Sequence, residues 1–252
     1  MKSSEDAYQI FDQNYNSKFL ILCDHATNRI PMSVSKTQLG LKSEELQRHI
    51  AYDIGAKDTA LNLGKILGAP LITTNYSRLV IDPNRSKEDP TSIMQIYDGA
   101  IIEGNCNLTP KQVTLRQKLF YDPYHNAITN FLKKKQREKI TPCIVSIHSF
   151  TPQLNQYTPR PWHIGILWDK DTRMSNAVLS EFTKFKNIHV GENQPYSGSL
   201  NGDTLSKHGT YNNLLHVLIE IRNDLIDHKV GQIKWAKIIK TVLNRSIEQI
   251  KE

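Results

Sequence analysis

Four apolar segments of the sequence each end in side chains that could do chemistry. The first segment, residues 19–23, is followed by Asp24 and His25, and the second, residues 79–81, is followed by residues 82–85 (Asp-Pro-Asn-Arg). The third, residues 143–147, is followed by His148. The fourth, residues 217–221, contains Glu220 and is followed by residues 222–224 (Arg-Asn-Asp). In an open α/β sheet, ligands gather outside the carboxyl ends of the strands. We therefore expect these side chains to converge on one functional site.

Two histidines from separate strands suit a metal ion better than a nucleophile triad. Catalytic zinc takes three protein ligands and keeps a fourth position for water, so His25 and His148 would need a carboxylate as third partner. Asp24 points away from His25 on an extended chain and is better suited to orienting a histidine from behind. Asp53 interrupts an apolar helix face, where an unpaired carboxylate is costly. Taken singly, each histidine also fits a structural role, and Asp53 fits a helix cap.

Catalysis by a serine or cysteine nucleophile finds little support in the sequence. The Gly-x-Ser-x-Gly motif of serine hydrolases is absent, and Ser149 stands outside any such context. Cys23 and Cys143 lie within apolar runs, where a thiolate is disfavoured. The three cysteines are far apart and form no Cys-x-x-Cys pair, which predicts neither a disulfide framework nor a structural zinc knuckle.

The bulk composition is that of a globular protein with a basic excess. The chain has 252 residues, 38% of them hydrophobic and 23% charged, with a net charge of +7, and we expect a single domain over residues 1–252. A basic excess suits a small anionic substrate, whereas no nucleic-acid motif accompanies it. The absence of a long apolar window and of a signal-peptide layout predicts a cytoplasmic protein without membrane contact.

Helices and strands alternate along the sequence. Apolar runs predict strands at Phe19–Cys23, Leu71–Thr74, 79–81, 142–148, 163–168, 188–190 and 215–221. Helical spacing predicts helices over 43–67, with Ser43 as its cap, and from 110 to 135, capped by Thr109 and with a break or kink at Asp122–Pro123. It also predicts helices over 172–185 and over 234–250. This alternation predicts an α/β fold: one three-layer domain with a mostly parallel mixed sheet and helices on both faces.

The sequence resembles the N-formylglutamate amidohydrolase family, whose members are zinc-dependent amide hydrolases related in fold to carboxypeptidase-like metallopeptidases (zinc exopeptidases). The matching stretches occur in family order and span most of residues 19–226. They are residues 23–31 (CDHATNRIP), 51–56 (AYDIGA), 77–85 (SRLVIDPNR), 146–150 (SIHSF), 193–196 (NQPY) and 219–224 (IEIRND).

The resemblance implies a set of metal ligands. His25 and His148 would bind one zinc ion. The metallopeptidase relatives keep a glutamate ligand three residues after the first histidine, where this sequence has Asn28. That departure makes Asp53 the expected third ligand, with Asn28 and Asp24 as the alternatives.

The resemblance also implies roles around the metal. Glu220 stands where the relatives keep the general base, and Asn84 with Arg85 resembles the pair that grips a substrate carboxylate. A dicarboxylic substrate would use a further arginine, for which Arg222 is available, although Arg222 could instead form a salt bridge with Asp224 or Glu220. Arg78 or Tyr196 could stabilise the oxyanion.

The expected function is therefore zinc-dependent hydrolysis of the amide bond in a small anionic N-acyl amino acid, N-formylglutamate-like. A related zinc metallopeptidase or cell-wall amidase is the nearest rival, and a non-catalytic anion-binding protein on the same scaffold is a rival of another class. His125, His163 and His208 receive structural roles, with His208 the first candidate for a loop over the site.

Overall fold

The computed structural model describes residues 6–11 and 17–250, together with the backbone of residue 251. Residues 1–5, 12–16 and 252, which the expected domain over 1–252 includes, lie outside the described residues. The strands are β1 (Tyr8–Phe11), β2 (Phe19–Cys23), β3 (Leu71–Thr74), β4 (Ile96–Tyr97), β5 (Ala100–Ile101), β6 (Cys143–Phe150), β7 (Ile164–Leu167), β8 (Val190–Glu192) and β9 (His216–Arg222). The α-helices are α1 (Ser43–Leu46), α2 (Ala56–Leu67), α3 (Pro110–Arg116), α4 (Asp122–Arg137), α5 (Arg173–Phe182), α6 (Thr204–His208) and α7 (Lys229–Lys251).

Seven of these strands form one mixed sheet in the order β1-β3-β2-β6-β9-β7-β8. The four central strands β3, β2, β6 and β9 run parallel to one another, and β8 runs parallel to β7. Only the pairs β1–β3 and β7–β9 are antiparallel among the described strands of this sheet. The predicted mostly parallel mixed sheet is confirmed.

Helices cover both faces of the sheet and make the fold three-layered. Successive strand side chains point to opposite faces, so Ile21 of β2 packs toward α2, α5 and α7, whereas Leu20 and Leu22 pack toward α4 and α6. A strand buried on both faces must be apolar throughout, which is why β2 reads as an unbroken apolar run. The predicted layers are confirmed.

A third apolar cluster supports the loops that follow β2 and β3. Leu39, Ile50, Tyr76, Val80 and Phe120 are buried together there. This cluster fixes the backbone from which Asp53, Arg78 and Asp82 project, so it matters for the site as much as the sheet does.

Two predicted elements differ from the structure. The helix predicted over 43–67 is interrupted between α1 and α2, and its first residue, Ser43, is not the cap, because Lys42 occupies that position. The amide of Asp53, within the interruption, donates to the carbonyl of His25 at 2.9 Å. The predicted strand 79–81 is a turn, in which the Val80 amide donates to the Ser77 carbonyl at 2.9 Å. Both segments therefore serve as loops that deliver side chains.

The helix that begins after Thr109 continues past Pro123 through a π-helical turn at Gln117–Tyr121. Thr109 caps it as predicted, with the hydroxyl accepting from the Gln112 amide at 3.3 Å. Among the described residues, no helix is long and apolar enough to cross a membrane.

Gly55 offers a test of the interruption before α2. Its φ is +76°, and a Cβ there would lie 2.0 Å from the Ile226 carbonyl oxygen. The exposed Gly99 also has a positive φ, +81°, but a Cβ there would meet nothing closer than 3.8 Å. We expect Gly99→Ala to lower the free energy of unfolding by about 1–2 kcal/mol, the cost of a left-handed alanine. Gly55→Ala adds a steric clash, which costs about 1–3 kcal/mol more.

Urea denaturation of the two variants measures the difference. Equal losses for Gly55→Ala and Gly99→Ala would show that the approach of Ile226 does not constrain the backbone next to Asp53.

Candidate metal centre and active site

The carboxyl ends of β2, β6 and β9 open into a cavity of about 330 Å³. His25 lies two residues after β2, His148 lies in β6, and Glu220 lies in β9 directly beside His148 in the sheet register. Asp53 reaches the same cavity from the loop between α1 and α2. The fold therefore brings together residues that are up to 195 positions apart in the sequence, from His25 to Glu220.

Three buried acceptor atoms converge at this cavity. Oδ2 of Asp53 lies 3.3 Å from Nδ1 of His25 and 2.9 Å from Nδ1 of His148. One ligand atom from each of these three side chains lies within 4.8 Å of the others. Two imidazole nitrogens and a carboxylate oxygen are a donor set that suits zinc.

Two further carboxylates hold the far sides of the imidazole rings. Nε2 of His25 lies 2.7 Å from Oδ1 of Asp82, and Nε2 of His148 lies 3.0 Å from Oδ2 of Asp24. An ionised carboxylate only accepts hydrogen bonds, so a neutral ring that donates from Nε2 to the carboxylate behind it leaves a bare Nδ1 facing Asp53. Carboxylates that orient histidines in this way are typical of metal sites. The expectation that Asp24 orients a histidine fits this geometry, and the histidine is His148.

Bare Nδ1 atoms cannot face a carboxylate oxygen without a positive charge between them. Burial lowers the pKa of His148, but Asp24 and Asp53 outweigh it and raise this pKa well above its ordinary value. Burial and the charge of Arg78 lower the pKa of His25, yet Asp82 and Asp53 raise it overall. Protons on both rings, or one cation bound by all three residues, would supply the missing charge. These residues therefore fit a metal ion.

The carboxylate of Asp24 is completely buried and fully engaged. Its Oδ1 accepts from the hydroxyls of Tyr124 at 2.7 Å and Thr204 at 2.9 Å, and its Oδ2 accepts from Ser146 at 3.0 Å. Although burial raises the pKa of Asp24, its hydrogen bond and charge interaction with His148 lower that pKa to about 2. Asp24 is thus an ionised anchor that cannot turn away from His148.

The structure also places the alternatives for the third ligand. The side-chain amide of Asn28 donates to the Leu46 carbonyl at 2.9 Å, away from the three converging atoms. Asp24 lies behind His148, on its Nε2 side. Asp53 alone of the three candidates contacts both Nδ1 atoms.

Arg78 lies between two carboxylates of the centre. Its guanidinium lies 2.7 Å from Oδ2 of Asp82 and 3.5 Å from Oδ1 of Asp53, and it stacks on the ring of Tyr97 at 5.4 Å. Arg78 lines the cavity. Its charge offsets the repulsion between these two buried carboxylates.

Asn84 and Arg85 line the same cavity. Oδ1 of Asn84 accepts from the backbone amide of Thr204 at 3.1 Å, which leaves the NH₂ end of this side chain as a donor. The guanidinium of Arg85 lies 3.8 Å from Asp89 and 4.0 Å from Asp82, beyond hydrogen-bonding distance. Both side chains are available to bind an anion.

Glu220 is the carboxylate whose protonation state is most open to change. It is only 6% exposed, and its Oε2 has no hydrogen-bond partner among the described residues. Burial raises the pKa of Glu220 to about 7. Tyr196 also lines the cavity, and its hydroxyl accepts from Arg160 at 3.2 Å.

Four residues considered in the sequence lie outside the cavity lining. Arg222 forms the salt bridge with Asp224 that the sequence allowed, at 2.8 Å. His163 accepts from the His189 amide at 2.9 Å. His125 and His208 lie 2.9 Å apart and line a different groove, so His208 does not belong to a loop over the metal centre.

Sequence reasoning placed Asp82 at the site, because it ends an apolar run, but did not predict its contact with His25. Three residues that hold Asp24 were missed. Ser146, Tyr124 and Thr204 gave no such signal, because their roles depend on three separate elements meeting at Asp24.

Comparisons with known proteins identify the family and the fold of the chain. The family model described as N-formylglutamate amidohydrolase matches residues 17–227. A crystal structure of a gene product from Agrobacterium tumefaciens is similar to the chain, with 32% identity, a TM-score of 0.93, and coverage of 100% of this chain and 99% of that one. N-formylglutamate amidohydrolase from Ralstonia eutropha JMP134 has the same fold at 19% identity, with a TM-score of 0.71 and coverage of 97% and 98%. The search of curated proteins found no match.

Thr204 tests the anchoring of Asp24, because its buried hydroxyl is one of two donors to Oδ1. Thr204→Val keeps the shape and removes the donor, so we expect the free energy of unfolding to fall by about 1.5–3 kcal/mol, the range for a hydrogen bond to a charged group. Thr204→Ser keeps the hydroxyl and serves as the control. Urea denaturation is the measurement, and losses of the same size in both variants would indicate that the methyl group, rather than the bond to Asp24, is what matters.

Proposed function

The chain belongs to the N-formylglutamate amidohydrolase family, and from this premise we propose that it is a zinc-dependent hydrolase of small anionic N-acyl amino acids such as N-formylglutamate. Family membership makes it an amidohydrolase. The convergence of His25, Asp53 and His148 on one point of the cavity is the observation that supports the metal.

In this proposal, His25, Asp53 and His148 would hold the zinc ion, and a bound zinc ion would polarise the scissile carbonyl and lower the pKa of water. Asp82 and Asp24 keep the two imidazoles in the tautomer that leaves Nδ1 free for the metal. Their ionised state also increases the basicity of both ligands.

Glu220 is the general base. A carboxylate with a pKa near the working pH can take a proton from water and return it to the leaving nitrogen, and the pKa of Glu220 is raised to about 7 by burial. Its unpartnered Oε2 supports the role, because a buried oxygen without a protein donor is free for water or substrate.

Asn84 and Arg85 bind the carboxylate of the substrate. Arginine presents two parallel donors that match a carboxylate, and the carboxylates of Asp89 and Asp82 lie 3.8 and 4.0 Å from Arg85, too far to occupy those donors with hydrogen bonds. Arg78, beside Asp53, and Tyr196 are the side chains that would stabilise the oxyanion formed at the carbonyl.

The cavity also bears on the rival functions. A volume of about 330 Å³ lies in the range of small-molecule sites, which favours a small amide over a cell-wall polymer. A non-catalytic anion-binding protein would need Arg85 but has no use for a buried, unpaired Glu220.

Metal removal and formate release test the proposal. We expect the purified protein to contain about one zinc ion per chain and to release formate from N-formylglutamate. Chelation should abolish the release and added zinc should restore it, because the cation supplies the Lewis acid. Full activity in the stripped protein would refute the role of zinc, and activity on a peptide or cell-wall fragment alone would favour the rivals.

Glu220→Gln separates metal binding from proton transfer. We expect the variant to keep its zinc, since Glu220 is not among the three converging ligands, and to lose about 10²–10⁴-fold in kcat, the contribution of a general base. A loss of less than tenfold with zinc retained would assign the base to another residue.

Arg85→Lys tests the substrate carboxylate. Lysine keeps the charge but cannot form two parallel hydrogen bonds, so we expect the KM for N-formylglutamate to rise about tenfold, on the order of one charge-assisted hydrogen bond. Arg222→Lys is the matched control, because Arg222 is paired with Asp224 outside the cavity, and its KM should stay unchanged. Steady-state kinetics of both variants give the two KM values. An equal rise of KM in Arg85→Lys and Arg222→Lys would show that Arg85 has no special role in binding the substrate carboxylate.

A further inference from the structure

A second concave surface lies on the other side of the residues that bind the substrate. It is a groove of about 940 Å³ between α4, α6 and the loop that precedes β6. The described residues that line it include three lysines and two histidines but no aspartate or glutamate. The basic side chains are Lys133, Lys139, Lys207, His125 and His208.

Lys207 is the cation of this groove that also contacts residues 83–85. It is partly buried, and desolvation by burial lowers its pKa. Its hydrogen-bond partners are the Tyr121 hydroxyl and the Arg85 carbonyl oxygen, the latter at 3.4 Å. Neither partner carries a negative charge, and Asp203, Glu88 and Asp24 stabilise the ammonium group only from beyond ion-pair distance. A partly desolvated ammonium group without a direct anionic partner is unfavourable, and an anion that entered the groove would supply that partner.

The floor of the groove contacts the backbone of the substrate-binding segment, residues 83–85. Nε2 of His125 donates to the Pro83 carbonyl at 3.0 Å, and the other ring nitrogen of His125 faces Nε2 of His208 at 2.9 Å. The Tyr121 hydroxyl donates to the Arg85 carbonyl at 2.8 Å. The segment thus presents Asn84 and Arg85 to the metal cavity, and its Pro83 and Arg85 carbonyls accept hydrogen bonds from side chains that line the groove.

We propose that this groove is a second binding site, for a small anion that carries a phosphate or carboxylate group, with Lys207 as its anchoring cation. The anion competes with the Arg85 carbonyl for the ammonium group. Binding therefore releases one support of the substrate-binding segment and weakens the grip of Arg85 on the substrate.

Titration of the zinc-loaded full-length protein with inorganic phosphate and, separately, with glutamate tests the site. Isothermal calorimetry at constant ionic strength should detect one of these anions, and the better binder identifies the group that the site takes. Lys207→Gln should weaken that binding about tenfold or more, the effect of losing a charged hydrogen-bond donor, and Lys207→Arg should restore most of it. Lys36→Gln, at an exposed lysine outside both cavities, is the control for net charge.

Arg85→Gln distinguishes the groove from the metal cavity, which can also take an anion. Binding that survives Arg85→Gln and is weakened by Lys207→Gln belongs to the groove. Binding that is lost in Arg85→Gln and kept in Lys207→Gln belongs to the metal cavity and overturns the proposal, as does the absence of binding by either anion at millimolar concentration.

The effect on turnover rests on the proposed function and has its own readout. The bound anion should raise the KM for N-formylglutamate in the wild-type and Lys36→Gln proteins but not in Lys207→Gln. Calorimetry needs no turnover, so a protein that binds the anion yet does not hydrolyse N-formylglutamate would refute the proposed function alone. An unchanged KM in an active protein that binds the anion would refute the coupling between the two surfaces.

Discussion

The organisation of the site depends on one electrostatic constraint: the buried oxygen of Asp53 faces two imidazole nitrogens that cannot both be bare in the absence of a positive charge. Asp82 and Asp24 accept from the Nε2 side, so moving a ring proton from Nε2 to Nδ1 only transfers the conflict to the carboxylate behind the ring. A cation or two ring protons must resolve it. The surrounding loops and hydrogen bonds maintain this unfavourable juxtaposition, which is the usual condition of a site prepared for a ligand.

The constraint explains why three separate elements of the fold donate hydrogen bonds to Asp24. The carboxylate of Asp24 receives hydroxyls from β6, α4 and α6, in the form of Ser146, Tyr124 and Thr204. With fewer donors, the pKa of this buried carboxyl group would rise and the group would take up a proton. A protonated Asp24 would no longer accept a hydrogen bond from Nε2 of His148. The polar network in the centre of the molecule therefore sets the protonation state of a residue at the edge of the cavity.

The sheet and the residues at the strand ends could be predicted from the sequence. Apolar runs mark buried strands, and the carboxyl ends of parallel strands meet at one edge of the sheet. The sheet, its layers and the meeting of His25, His148 and Glu220 all follow from that pattern. The break before α2 was missed because Leu46, Ile50 and Ile54 keep helical spacing, while the actual path is set by the Asp53 amide bonded to the His25 carbonyl and by the left-handed Gly55. Four short elements, β1, β4, β5 and α6, contain too few residues for a periodic pattern to predict them. Because Thr204 lies in α6, its hydrogen bond to Asp24 could not be predicted either.

The balance of charge around the cavity connects the metal, the base and the substrate. Five carboxylates, those of Asp24, Asp53, Asp82, Asp203 and Glu220, stand against the two guanidinium groups of Arg78 and Arg85, which leaves three negative charges when all five are ionised and both histidines are neutral. A divalent cation offsets two of them. A dicarboxylate substrate then adds two more negative charges, and the carboxylate that can most readily take up a proton is Glu220, whose pKa burial raises to about 7. The added negative charge raises the affinity of Glu220 for a proton, which makes the ionised carboxylate a stronger base toward the attacking water.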